Sequence, residues 1–281
     1  MAGDETGRVA VITGATGGVG AAVALALSRA GYSLVLTAPS MEKLSALASQ
    51  LKGPCTVIEG NLSDDSLPET LLYAALDRFG RCDICFNNGA LFEAGIIETV
   101  DIERLINMVR VNVEGSFRVA YVFMKHFVSE GAGHLVNVSS AVGSSLRPTA
   151  YAATQRAIEV LSDALVAELG DGDVLVSCIQ PGLVKTGAHH RWEIESDGAS
   201  GTGYSLEPED FARMVLFILE ESAGGRKAEE NVEQSSTAVT GELFERAAPL
   251  DEEKPVEVKD EVAAEPDIED AAEQGFLPDE I

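Results

Sequence analysis

The residues whose types and spacing are best suited to chemistry stand near the amino end, in Thr13-Gly14-Ala15-Thr16-Gly17-Gly18-Val19-Gly20. Glycines at 14, 18 and 20 leave backbone amides free of side-chain bulk. Between a strand and a helix, such amides lie at the positive end of the helix dipole, where a pyrophosphate binds. The spacing is G-x-x-x-G-x-G with a leading threonine, looser than the dinucleotide fingerprint G-x-G-x-x-G, and a tight turn without ligand fits the same letters. Other chemistry-bearing types show no comparable arrangement. Cys82-Asp83-Ile84-Cys85 has the letters of a redox pair, but it opens an apolar strand in which residues three apart face opposite sides. It reads as two buried small side chains. The four histidines, His189-His190 among them, have no metal-ligand spacing, and no metal is expected.

A glycine turn of this kind needs a strand before it and a helix behind it. Val9-Ala10-Val11-Ile12 supplies a short buried strand, and Ala21 to Ala30 a run of good helix formers with apolar residues at helical spacing. Strand-like and helix-like runs then alternate through most of the 281 residues, which predicts an α/β fold around one large core. A composition of 46% hydrophobic and 6% aromatic residues is that of a globular protein. No apolar run is long enough to span a bilayer, and the amino end lacks the pattern of a secretion signal, so a cytoplasmic setting with reduced thiols is expected. The net charge of -26 argues against nucleic acid or an anionic membrane as partner. Half of it falls from Arg226 onward, where 18 acidic residues face 5 basic ones.

The second strand, Ser33 to Thr37, ends at Ala38-Pro39-Ser40, where an adenosine ribose would lie. An acid there would bind a free 2'-hydroxyl and an arginine a 2'-phosphate. Neither is present, and Ser40 suits both, so NAD and NADP both remain open. A helix over Met41 to Leu51 leads to a third strand, Cys55 to Glu59, ending at Asn61-Leu62-Ser63-Asp64. Asn61 and Leu62 stand where an adenine would meet the strand end, though a turn with a helix cap explains the same letters. Leu67 to Phe79 is helical, and a fourth strand, Asp83 to Phe86, ends at Asn87-Asn88-Gly89-Ala90.

The glycine turn with its threonine, Asn61-Leu62-Ser63-Asp64 and the double asparagine together resemble the short-chain dehydrogenase/reductase family. The resemblance implies a Rossmann fold, a three-layer doubly wound parallel sheet in a single domain over residues 6–247. It also implies a dimeric or tetrameric homo-oligomer, NAD or NADP as cofactor, and hydride transfer with a small-molecule carbonyl or alcohol. The cofactor would be held by Thr13, Gly14, Thr16, Gly18, Val19 and Gly20 at the turn, then by Ser40, Asn61, Leu62 and Asn88. The family's Asn-Asn-Ala-Gly has its last two letters exchanged here.

Asp101 to Ser129 is long enough for a helix pair or one bent helix, and within it Val111-Asn112-Val113-Glu114-Gly115 resembles the motif whose asparagine holds a relay water. After the strand His134 to Val138, the family's second serine polarises the substrate oxygen, which selects Ser140 over Ser139. Tyr151 opens the resembling catalytic helix, at a shorter interval from the serine than is usual. Past the strand Val174 to Ile179, Pro181, Gly182 and Val184 match the segment that meets the nicotinamide carboxamide. The polar stretch from His189 to Ser205, with Trp192, would be the substrate loop, and Glu209 to Glu221 a helix. Val239 to Phe244 resembles a last strand. Residues 248–281, rich in Glu, Asp, Ala and Pro, are expected to be a disordered tail, with Phe276-Leu277 offering a docking point for a protein partner.

The departure with chemical weight is Gln155, which occupies the family's lysine position and joins Tyr151 as a residue facing both substrate and cofactor. A phenol with a pKa near 10 is about one part in a thousand ionised at pH 7. An ammonium roughly 4 Å away would favour the phenolate by about 4 kcal/mol at an effective dielectric of about 20. Glutamine brings no such charge, though it still hydrogen-bonds a ribose hydroxyl. Arg156 points about 100° away around the helix and is no substitute. Two functions follow: a slow or specialised NAD(P)H-dependent carbonyl reductase, in which a neutral phenol is the required acid, or a catalytically inactive cofactor-binding regulator or hetero-oligomer subunit.

Overall fold

Val9–Thr13 forms β1, and every one of its five side chains is buried, as expected of a central parallel strand covered on both faces. On either side of it lie β2 (Ser33–Ala38) and β4 (Ile84–Asn87), and the sheet continues outward through β3 (Cys55–Glu59) on one flank and β5 (Gly133–Val138) and β6 (Val174–Ile179) on the other. The order is β3-β2-β1-β4-β5-β6, and every pairing is parallel. The computed structural model describes residues 7–93, 97–140, 149–170, 172–181, 184–186 and 206–223. The expectations for Gly182, the loop with Trp192 and His189-His190, the strand over 239–244 and the acidic tail fall outside these.

Period-two alternation divides the core in two. Ile12, Leu34, Leu36 and Ala38 face α1 (Gly18–Arg29), α2 (Met41–Ala48) and the carboxyl-terminal helix α7 (Pro208–Ala223), whose Phe211, Val215 and Leu219 are buried there. Val9, Val11, Val35 and Leu135 face the opposite layer. That layer contains α3 (Leu67–Phe79), α5 (Ser116–Glu130) with Phe123 and Phe127, and α6 (Thr149–Leu169) with Leu161 and Leu165. This is the three-layer, doubly wound sheet expected from the sequence. Among the described residues no helix is long and apolar enough to cross a membrane, and no group of acids, histidines and cysteines is placed to hold a metal.

Two local expectations are refined. Cys82 and Cys85 do not face opposite sides: Cys82 precedes β4, so strand alternation does not apply to it, and both thiols join the same buried cluster. Burial raises the Cys82 pKa to about 12 and holds that of Cys85 well above the ordinary thiol value, which disfavours the reactive thiolate at both. The long helix over 101–129 is continuous but not regular. It runs as α4 (Ile102–Val109), a π-helical segment Arg110–Gly115, and α5. Asn112 is buried inside that π segment, a form of helix defect that recurs at functional sites.

Candidate active site

The strand order reverses between β1 and β4, and the crevice of a doubly wound sheet opens at the carboxyl ends of such strands. Thr13 Oγ1 accepts hydrogen bonds from the amides of Asn88 and Gly89, both at 2.9 Å, and Asn88 Nδ2 donates to the carbonyls of Thr13 (3.1 Å) and Gly14 (3.3 Å). The two strand ends are thus tied across the crevice. Gly14 has φ +63°, and a Cβ on it would lie 2.7 Å from Gly89 Cα, so the approach requires glycine. At Gly89 a Cβ would meet Leu62 Cδ1 at 2.6 Å; the exchanged Gly89-Ala90 order puts the smaller residue where Leu62 packs.

Gly17 caps α1 without a side-chain hydrogen bond, which leaves the first-turn amides of Gly18, Val19 and Gly20 with no intrahelical acceptor. A Cβ at Gly18 would stand 2.8 Å from Thr186 Cγ2, so the segment after β6 lies against this turn. Uncapped amides in a groove lined by glycine fit a pyrophosphate. Pro181 is described, and Val184 bridges to Leu206 in parallel. At the far corner, Ser40 Oγ accepts from the Lys43 amide at 3.3 Å and so caps α2. Asn61 Oδ1 accepts from the amide and hydroxyl of Ser63, both at 3.0 Å, so the turn reading of these letters holds locally.

The other half of the crevice is built on α6. Tyr151, Gln155 and Glu159 follow one another at helical spacing of four and therefore share a face. Tyr151 is partly buried, its ring edge-on to Phe92 with centroids 5.0 Å apart and planes at 72°. Burial raises its pKa above that of an ordinary phenol, an effect that the hydrogen bond with Ser140 partly offsets. The neighbouring serine is used differently: Ser139 Oγ donates to Glu159 Oε1 at 3.0 Å, and its amide to the Ile179 carbonyl at 2.9 Å. Ser140 is thereby the serine at the phenol.

Gln155 is buried, 4% exposed, and its Nε2 reaches Thr154 Oγ1 only at 3.5 Å. Arg156 pairs with the buried Glu159 carboxylate. Asn112 bridges the two sides. Its Oδ1 accepts from the Leu91 amide (2.7 Å), and its Nδ2 donates to the Leu91 carbonyl (2.8 Å) and to Thr154 Oγ1 (3.1 Å). Thr154 Oγ1 in turn donates to the Tyr151 carbonyl at 2.7 Å. A chain of bonds therefore runs from the loop that carries Phe92 to the backbone of Tyr151. Both N–H bonds of Asn112 are engaged in this brace, so its geometry is that of a positioning residue.

The structure brings Ser140, Tyr151, Gln155 and Asn112 to one side of the crevice and the glycine turn with Asn88 to the other. Reasoning from sequence missed Phe92, Thr154 and Glu159. Of these only Glu159 left a signal, an acid one turn beyond Gln155 on the same helix face.

Comparison with known proteins agrees with this geometry. A family model described as short chain dehydrogenase matches residues 8–196. An uncharacterized oxidoreductase of Staphylococcus epidermidis is 30% identical over 214 residues, covering 75% of this chain and 90% of that protein. Among solved structures, levodione reductase superposes with a TM-score of 0.72 at 25% identity, covering 79% of this chain and 93% of that one. An alcohol dehydrogenase from Thermococcus sibiricus, complexed with 5-hydroxy-NADP, gives a TM-score of 0.64 at 28% identity over 76% of this chain and 90% of that one.

Proposed function

The chain belongs to the short-chain dehydrogenase family of NAD(P)-dependent oxidoreductases, and from that premise we propose that it reduces a carbonyl to an alcohol, with Tyr151 as a neutral acid. The observation that carries the neutral-acid role is the partly buried phenol, raised in pKa and hydrogen-bonded to Ser140, on a helix where Gln155 brings no charge. A phenol in that state has a proton to give and is a poor base.

When bound, the reduced nicotinamide supplies the hydride that ends on the carbonyl carbon. The substrate oxygen accepts a hydrogen bond from Ser140 and takes its proton from Tyr151, which regains one from solvent. Gly18, Val19 and Gly20 amides, with Thr13, Gly14 and Thr16 shaping the turn, would hold the pyrophosphate. Ser40, Asn61, Leu62 and Asn88 would line the adenosine side, with Pro181, Gly182 and Val184 at the carboxamide. Gln155 would hydrogen-bond the nicotinamide ribose. Phe92 packs edge-on against the phenol ring, and the Asn112–Thr154 brace ties the backbone of Tyr151 to the Leu91 loop.

The domain would span residues 6–247, with 248–281 as an acidic tail. Exposed Ile102, Ile106, Tyr121 and Val160 on α4, α5 and α6 support a homo-oligomer through that face. The test is a panel of carbonyls with NADH and NADPH, comparing the natural chain with Tyr151→Phe and Ser140→Ala. Loss of reduction in both variants with dinucleotide binding intact is expected. Undiminished reduction by Tyr151→Phe would overturn the proposal, and binding without any turnover in the natural chain would favour the regulator.

A further inference from the structure

A Rossmann fold meets the adenosine ribose at the end of its second strand, and here that end carries Ala38, Pro39 and Ser40, with neither an acid nor an arginine. The sheet brings an acid from the next strand instead. Ala38 and Glu59 are partners in the β2–β3 register, so their Cβ atoms leave the sheet on the same face. The alanine methyl occupies little of that face, and the longer side chain crosses it. Glu59 is exposed, and its Oε1 accepts from the Met41 amide at 3.0 Å, which puts a carboxylate at the first residue of α2, directly after Ser40.

Two of the first three amides of α2 are thereby taken, Met41 by Glu59 and Lys43 by Ser40 Oγ. These are the donors a phosphate would otherwise use. We propose that Glu59 makes this site select NAD over NADP, its Oε2 accepting the adenosine 2'-hydroxyl and its charge opposing a 2'-phosphate. This deepens the dinucleotide reading above and rests on it. Lys43, exposed in the same first turn, is the cation that argues the other way. Its amide bond to Ser40 starts its side chain on the helix, whereas the Glu59 carboxylate already lies across the strand end.

The experiment is calorimetric titration of the full chain with NADH and with NADPH, so that binding is read without turnover. NADH is expected to bind at least about tenfold more tightly, a difference of about 1.4 kcal/mol. Glu59→Gln keeps an acceptor for the Met41 amide and removes the charge; it should tighten NADPH until the ratio falls to about threefold or less, the scale of one exposed charge. Glu59→Asp should keep the preference, and Lys43→Ala should leave the ratio unchanged. Adenosine 5'-monophosphate against adenosine 2',5'-bisphosphate on the natural chain repeats the comparison with no variant to fold. NADPH binding as tightly as NADH, or a ratio untouched by Glu59→Gln, overturns the assignment. Binding of neither dinucleotide overturns the dinucleotide reading, and this assignment with it.

Discussion

Gln155→Lys is the substitution whose outcome the structure predicts in most detail. Tyr151 and Gln155 lie one turn apart on the same face of α6, so a lysine there would bring its ammonium within about 4 Å of the phenolic oxygen. At an effective dielectric of about 20 that charge favours the phenolate by about 4 kcal/mol, close to three pKa units. Position 155 is buried, and burial works against the charge of the lysine, while the phenolate it faces works for it. The phenol pKa should therefore fall, against the upward push of its burial. The two directions of one reaction are tied at any pH by its equilibrium constant, so the substitution cannot speed oxidation and leave reduction behind. What moves is the pH at which both profiles break. In the natural chain, kcat/KM for reduction should stay flat through neutral pH and above, while that for oxidation climbs about tenfold per pH unit over the same range. In the variant, reduction should begin to decline and oxidation to level off at a lower pH than in the natural chain. Steady-state rates in both directions, followed by nicotinamide absorbance, read the break directly. A natural chain whose oxidation already levels off near neutrality would mean that another group charges the site. A break that stays in place in the lysine variant would mean that Tyr151 is not the proton donor.

Three further outcomes follow from particular contacts. Asn112→Ala removes three hydrogen bonds between the Leu91 loop and Thr154, and should cost about 1–3 kcal/mol by urea unfolding and lower kcat more than it raises KM. Gly20→Ala places a Cβ 2.2 Å from the Gly14 carbonyl oxygen and should destabilise the fold by about 1–3 kcal/mol, whereas Gly18→Ala meets only the movable Thr186 methyl and should chiefly weaken dinucleotide binding, as melting and calorimetry would show. His134 is buried, with its Nε2 on Ser177 Oγ at 2.8 Å, and burial, followed by the charge of Arg8, lowers its pKa to about 4. The unfolded chain then binds the extra proton first, so stability is lost as pH falls from about 6.5 to about 4, by about 3 kcal/mol in all. The difference in unfolding free energy between the natural chain and His134→Leu should shrink across that window; a constant difference would remove His134 from the acid sensitivity.

What was legible in the sequence was local. β1, the glycine turn and the start of α1 are contiguous, and so are Tyr151 and Gln155 on α6; period-two and period-3.6 patterns reveal such units without knowledge of what they touch. What was not legible depended on register. Glu59 reaches the ribose corner only because β3 pairs with β2 so that it stands beside Ala38. Cys82 joins Cys85 because β4 starts at Ile84. Asn112 meets Thr154 because a π segment turns it toward a helix 42 residues on. Charge links the legible and the hidden parts. Gln155 withholds a cation from the nicotinamide side, and Arg156, the nearest replacement in sequence, is held by Glu159. Glu59 adds an anion at the adenosine side. In the proposed site such an arrangement would favour the protonated phenol and set a carboxylate against a 2'-phosphate at the Ala38–Ser40 strand end. The proposed neutral-acid reduction and the proposed preference for the unphosphorylated dinucleotide would then share one electrostatic bias, and Gln155→Lys and Glu59→Gln should relieve its two ends independently.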